Sequence, residues 1–206
     1  MSDSHELHRE VEVPAGDVLI HAGDFTMFSK SLRQIEDFND WLGELPHRWK
    51  LVIPGNHEFF LEDCPCRRSM LCNATVLIDE AITIEGLKIY GSPMTPLYGG
   101  AFGKSSAADR TRHWAKVPSD TNILITHGPP VGILDLSPGQ PVRMGDPELL
   151  VRIRELRSLR LHAFGHVHGG YGVAEENEVM FVNGALMGLL GDLDHQPVVL
   201  RINPVD

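Results

Sequence analysis

The sequence predicts an α/β protein whose short strands deliver polar residues to one edge of the fold. Three observations lead there. Short apolar runs recur at Asp17–Ala22, Lys50–Ile53, Asn122–Thr126 and Leu161–Phe164, each closed by Gly, Pro or a polar side chain. Amphipathic helical stripes fall between those runs, over Ser31–Leu45 and from Asp146 onward. No repeat, low-complexity block or linker divides the chain, so residues 1–206 are expected to form one domain.

The elements follow in order. Asp17–Ala22 reads as a strand that stops at Gly23-Asp24. From Ser31 to Leu45, apolar residues at Leu32, Ile35, Phe38, Leu42 and Leu45 trace one helical face; Ser31 with Gln34 suits a capping box, and Gly43 and Pro46 mark the exit. Lys50–Ile53 is a strand broken at Pro54-Gly55, which leaves Asn56-His57-Glu58 in a loop. Residues 59–75 read as irregular. Thr75–Ile78, Ala81–Ile84 and Leu87–Tyr90 are strand-like, the last two joined as a hairpin at Glu85-Gly86. A long loop over Gly91–Gly103 precedes a helix over Ser106–Trp114, and the strand Asn122–Thr126 ends at His127. After a Gly/Pro-rich loop, Asp146 is placed to cap a helix with Pro147 in its first turn. Leu161–Phe164 runs out at Gly165-His-Val-His168, and Val179–Val182 and Pro197–Ile202 close the fold as strands.

Composition narrows the function. With 28 acidic against 18 basic residues the formal charge is −10, which argues against a basic stripe gripping a nucleic-acid polymer. It leaves small phosphate substrates open, because a bound metal pair dominates its local field. The polar, acidic start at Met1–Glu6 is unlike a secretory signal, and no apolar run approaches the ~20 residues that span a bilayer, so a cytoplasmic location is expected. Cys64, Cys66 and Cys72 are expected as reduced thiols, with a Cys64–Cys72 bridge as the alternative.

The strand ends carry the chemistry. Four apolar runs end in groups that bind metals or move protons: Asp24, Asn56-His57, His127, and the pair His166 and His168. In open α/β sheets ligands sit beyond the carboxyl ends of the strands, so these side chains can converge there. Asp3 and His5 supply another carboxylate and imidazole. Oxygen and nitrogen donors without thiolate suit Mn, Fe, Zn or Co, and a shared carboxylate allows two ions ~3.5–4 Å apart that clamp a phosphoryl group. The remaining histidines, His8, His21, His47, His113, His162 and His195, match no such pattern and are expected to be structural or surface groups.

Taken together, Ser2-Asp-Ser-His5, Gly23-Asp24, Gly55-Asn-His-Glu58, Thr126-His-Gly-Pro129 and Gly165-His-Val-His168 resemble the five motifs of the calcineurin-like metallophosphoesterases. The segments HAGDFT, NDWLGELP, PGNHE, THGPP and GYG are similar to one branch, the small metallophosphoesterase-domain-containing phosphodiesterases, which include enzymes acting on cyclic nucleotides. The resemblance implies a four-layer α/β/β/α sandwich and a binuclear centre of two divalent ions, with Mn favoured in vitro. By that likeness Asp3, His5 and His168 hold the first metal, Asp24 bridges, and Asn56, His127 and His166 hold the second. His57 is then not a ligand but faces the phosphate, where it stabilises the transition state or protonates the leaving oxygen. The implied nucleophile is a hydroxide between the ions, and the implied substrate a small phosphodiester. Glu58 either orients His57 from behind or lies in solvent.

One departure stands out. The family pattern has a strand just before the Asp-x-His motif, whereas only Met1 and Ser2 precede Asp3 here. That strand is therefore absent, supplied otherwise, or lost from this version of the sequence; without it, Asp3 and His5 are expected on a fraying terminus as the least secure ligands. Two rivals remain at this point: a phosphomonoesterase, including a protein phosphatase, and a binding or scaffold protein that keeps the fold without the catalysis.

Overall fold

The computed structural model describes residues 1–29, 31–96, 100–139 and 142–203. Residues 97–99 of the expected Gly91–Gly103 loop, and residues 140 and 141 of the loop after His127, lie outside the described residues. Two sheets form the interior. The first has three parallel strands, β1 (Val18–His21), β2 (Trp49–Val52) and β3 (Thr75–Val76), in that order. The second contains β4 (Glu80–Ile84), β5 (Leu87–Ser92), β6 (Ile123–Thr126), β7 (Leu161–Phe164), β8 (Gly172–Glu176) and β9 (Val179–Asn183). Its order is β4-β5-β6-β7-β9-β8, parallel in the middle and antiparallel at the two outer pairs.

Strand alternation builds the layers. Along β6, Ile123 and Ile125 face the other sheet, while Leu124 faces outward to a second cluster. Leu51 of β2 likewise meets Ile89, Leu161 and Val182 between the sheets, and Val52 turns to the opposite side. That outer side of the first sheet is covered by α1 (Leu32–Glu44), which packs Ile35, Phe38, Trp41 and Leu42 against Leu19 and Val52. The outer side of the second sheet is covered by α3 (Ala107–Trp114) and α4 (Pro147–Glu155), through Trp114, Leu149 and Ile153. The result is the four-layer α/β/β/α sandwich. Among the described residues no helix is long and apolar enough to cross a membrane.

Local chemistry sets the helix starts as expected. Ser31 and Gln34 form the reciprocal capping box of α1, Ser106 caps α3, and Asp146 accepts the Glu148 N–H at the start of α4. Each such cap contributes about 1 kcal/mol. The β4–β5 hairpin turns at Glu85-Gly86, both at positive φ.

Four expectations require correction. Residues 59–75 hold a short helix, α2 (Phe59–Asp63), and a 3₁₀ turn over Pro65–Met70. The strand β8 pairs with β9 although its solvent-facing Glu175-Glu176 and Asn177-Glu178 turn carry no apolar run to announce it. Pro197–Ile202 forms no strand among the described residues; Val198, Leu200 and Ile202 pack on the inter-sheet core, so the alternation records burial and not strand pairing. Finally, Cys64 and Cys66 form a disulfide, with Cα atoms 5.2 Å apart, and Cys72 is free and exposed. That spacing lies inside the range a disulfide spans, and the turn after α2 brings the pair together.

Candidate metal centre

The parallel strands deliver their C-terminal ends to one edge, and the predicted residues follow those ends directly. Asp24 follows β1, Asn56 and His57 follow β2, His127 follows β6, and His166 and His168 follow β7. His127 joins the two sheets: its Nδ1 lies 2.8 Å from the Ala22 carbonyl, and its own carbonyl accepts the Gly165 N–H at 2.9 Å. Close approach is possible only because two positions lack a side chain. A Cβ on Gly55 would lie 2.2 Å from Asp24 Oδ1, and one on Gly23 (φ +100°) would lie 2.7 Å from the Gly55 nitrogen.

The first residues do not fray. Met1 and Ser2 are wedged between the sheets: the terminal ammonium donates to Ile20 O at 3.0 Å, Ala22 N donates to Met1 O, and Ser2 donates to Gly184 O. Ser2 also forms a parallel bridge with Ala185. Asp3 and His5 are buried and held by backbone bonds to Gly23 and Asp24. The expected fraying is therefore not seen: Met1 and Ser2 anchor the segment that carries Asp3 and His5.

Three groups of donors crowd together: Asp3, His5 and His168; His5, Asp24 and His57; and Asp24, His127 and His166. Asp24 Oδ2 sits among them, 3.9 Å from His5 Nε2, 3.8 Å from His57 Nε2 and 3.2 Å from His127 Nε2. Asn56 Oδ1 lies 2.8 Å from His127 Nε2. The set fits a divalent cation on two counts. Asp3 Oδ2 accepts the His166 N–H at 2.8 Å, whereas its buried Oδ1 has no hydrogen-bond partner and lies 3.4 Å from His168 Nε2. Donors bound at roughly 2.1 Å to one ion are about 3.0–3.4 Å from each other, the spacing of Asp3 Oδ1 from His168 Nε2 (3.4 Å) and of Asp24 Oδ2 from His127 Nε2 (3.2 Å). Second, the Ala22 carbonyl takes the His127 Nδ1 proton and leaves Nε2 facing two oxygens, which is how a second-shell carbonyl turns an imidazole toward a metal.

The backbone is strained at the same places. Asp3, His5, Asp24 and His166 all have positive φ (53°, 40°, 55° and 67°), a region that disfavours side-chain-bearing residues by about 1–2 kcal/mol each. Such outliers concentrate where function overrides stability.

The electrostatics agree with a cation-seeking site. Burial alone would raise Asp3, but His168, His127 and His5 outweigh it and hold the carboxyl below the usual range. Asp24 is likewise lowered, burial being outweighed by His127. Burial would lower His127 too, yet Asp24 pushes it up to about 9, while burial takes His166 down to about 4. Mixed protonation within one cluster of buried donors reflects concentrated negative charge that a divalent ion would neutralise.

Glu58 has a role not expected from sequence. It is buried and neither orients His57 nor meets solvent. Its Oε2 accepts from Asp24 N (2.9 Å) and Gly55 N (2.6 Å), and its Oε1 from Thr26 N (2.9 Å) and Thr26 Oγ1 (2.8 Å). The side chain thus ties the loop after β1 to the loop after β2. Its partners at Asp24 and Thr26 lie more than thirty residues upstream, so no local pattern points to it. Each of the six unassigned histidines has one ring nitrogen hydrogen-bonded to a group outside the donor set, for example His8 to Asp37, His21 to Ser4 and His162 to Thr126, while among the described residues the second nitrogen of His8, His21, His47 and His162 is buried without a partner.

Comparison with known proteins agrees with this geometry. The calcineurin-like phosphoesterase family model matches residues 2–170. Metallophosphoesterase domain-containing protein 1 of Homo sapiens is 37% identical, over 96% of this chain and 67% of its own length. UPF0046 protein K07C11.7 of Caenorhabditis elegans is also 37% identical, over 98% of this chain and 73% of its own. A solved structure at 18% identity superposes with a TM-score of 0.67 over 89% of this chain and 88% of the other, a likeness of fold. With donors of the right kind at the strand ends and matches running through nearly the whole sequence, the chain belongs to the calcineurin-like phosphoesterase family of metal-dependent phosphoester hydrolases.

Proposed function

We propose that the protein is a binuclear-metal phosphodiesterase that hydrolyses small phosphodiesters, cyclic nucleotides among them. The observation that carries this reading is Asp24 Oδ2, which stands between one group of donors containing His5 and another containing His127 and His166. In this reading Asp3, His5 and His168 would hold one ion and Asn56, His127 and His166 the other, with Asp24 available to both. Mn, Fe, Zn and Co suit these donors, and we assign Mn as the ion that supports activity in vitro. When bound, the ions supply charge to the phosphoryl oxygens and an acidified water as nucleophile.

The chain's own groups do the rest. The His57 backbone N–H donates to Asp24 Oδ1 at 2.9 Å, which keeps the other carboxylate oxygen aimed at the cluster. His57 Nε2 lies 3.8 Å from that oxygen, on the cluster side, whereas Nδ1 is buried. Nε2 is therefore the atom that delivers a proton to the leaving oxygen. The donors around it are buried, so water reaches phosphorus only where the site admits it.

The test is a direct comparison in the Mn-loaded protein. Bis-p-nitrophenyl phosphate should turn over faster than the monoester, and a panel of cyclic nucleotides should contain a substrate. Faster monoester hydrolysis would move the assignment to a phosphomonoesterase. Full metal loading with no turnover of either ester would leave a binding protein.

A further inference from the structure

Phe28 has no part in the chemistry described so far, yet its placement is unusual. It is 53% exposed, and its φ is +62°, followed by Ser29 at +47°. An aromatic residue in this conformation is strained, and with half its surface in water little burial offsets the strain. Its ring lies flat on the His57 imidazole, centroids 4.1 Å apart and planes 19° from parallel. The other ring neighbour of His57 is the edge of His5, at 4.7 Å and 64°.

The rear nitrogen of His57 explains why such a contact matters. An imidazole that transfers protons is ordinarily fixed in orientation by a hydrogen bond on its second nitrogen. Here His57 Nδ1 is buried and, among the described residues, has no hydrogen-bond partner. The carboxylate best placed by sequence, Glu58, has both oxygens committed to Asp24, Gly55 and Thr26. Ser29 Oγ donates to the His57 carbonyl at 2.8 Å, and Ser29 N–H donates to Thr26 Oγ1, so the turn carrying Phe28 is fastened to the backbone of His57. The ring itself is left to stacking.

We propose that Phe28 is the positioning residue of His57: its phenyl face holds the imidazole so that Nε2 points at the leaving oxygen. This rests on the phosphodiesterase reading and on the role given to His57 within it. The strain at Phe28 then has a function, since a residue free to relax would let the ring turn about its χ2.

The experiment uses the Mn-loaded protein with bis-p-nitrophenyl phosphate, whose leaving group needs little protonation, and diphenyl phosphate, whose leaving group needs more. Phe28→Ala should lower kcat for diphenyl phosphate at least about tenfold more than for bis-p-nitrophenyl phosphate, a fraction of the 10²–10⁴ that acid catalysis contributes, with KM unchanged. Phe28→Tyr should restore the ratio. Phe28→Gly, which relieves the positive φ, should still lose the diphenyl phosphate rate. In the metal-free protein, the His57 ring protons should be shifted upfield by the phenyl face and return to ordinary values in Phe28→Ala, with His57→Asn identifying the resonance. Equal losses on both esters, a rise in KM alone, or His57 resonances indifferent to Phe28 would overturn the inference while leaving the phosphodiesterase reading intact. A wild-type protein that turns over neither ester would remove that reading, and this inference with it.

Discussion

Acidifying the metal-free protein should unfold it in a way traceable to one side chain, His162. It is fully buried on β7 beside Phe164 and Phe181. Thr126 Oγ1 donates to Gly128 O at 2.7 Å, so it must accept the hydrogen on His162 Nε2, also at 2.7 Å. Nδ1 is then a bare lone pair, and it has no partner. A second proton there would be buried without an acceptor, and burial pushes the pKa from 6.5 down to about 3. The unfolded chain takes up a proton near pH 6.5 that the fold refuses, so stability is complete above pH 6.5 and falls as pH drops toward 3. The loss from this residue alone is about 2 kcal/mol at pH 5 and about 4 kcal/mol at pH 3, against a total stability on the order of 5–15 kcal/mol. Urea unfolding of chelator-treated wild type and His162→Gln at pH 7, 6, 5 and 4 measures it. The wild-type curve should fall more steeply with acid by that difference. Parallel curves would show that His162 is not buried as a neutral imidazole and would refute the reasoning.

The remaining predictions concern the cluster. Asp24→Ala should reduce bound metal, read by elemental analysis, from two ions to fewer than one, because Asp24 belongs to two of the three donor groups. Removing metal with a chelator should lower the melting temperature: at a hundredfold excess over Kd each ion stabilises by about 2.7 kcal/mol, or roughly 5–10 °C for a chain of this size. Glu58→Gln should destabilise the metal-free protein by about 1–3 kcal/mol, since any orientation of the amide turns its NH₂ toward at least one backbone N–H that the carboxylate now accepts. Gly55→Ala should abolish metal binding, because its Cβ would fall 2.2 Å from Asp24 Oδ1 and 2.5 Å from the Asp24 nitrogen, and a backbone atom cannot swing aside. Calorimetric titration with Mn checks that result, and an unchanged affinity would show that the loops can part.

The sequence by itself determined the layers, the helix caps and the kinds of donor available. Ile123, Leu124 and Ile125 reveal their strand through an alternation that needs no knowledge of the other sheet. Ser31 with Gln34, and Asp146 with Pro147, act within one turn, so their effect can be read in place. Gly165-His-Val-His168 and Gly55-Asn-His announce donors at strand ends for the same local reason. Only the tertiary structure decided what each donor meets. The Asp3 carboxylate is fixed by the backbone of His166, 163 residues away, and the terminus that carries it is secured by a slot between two sheets. Glu58 became a brace, Cys64 found Cys66, Phe28 came to lie on His57, and Pro197–Ile202 packed without pairing. Pattern and propensity act over a few residues, whereas a partner across the fold exists only after chain closure has brought distant segments together. No window of sequence holds that information.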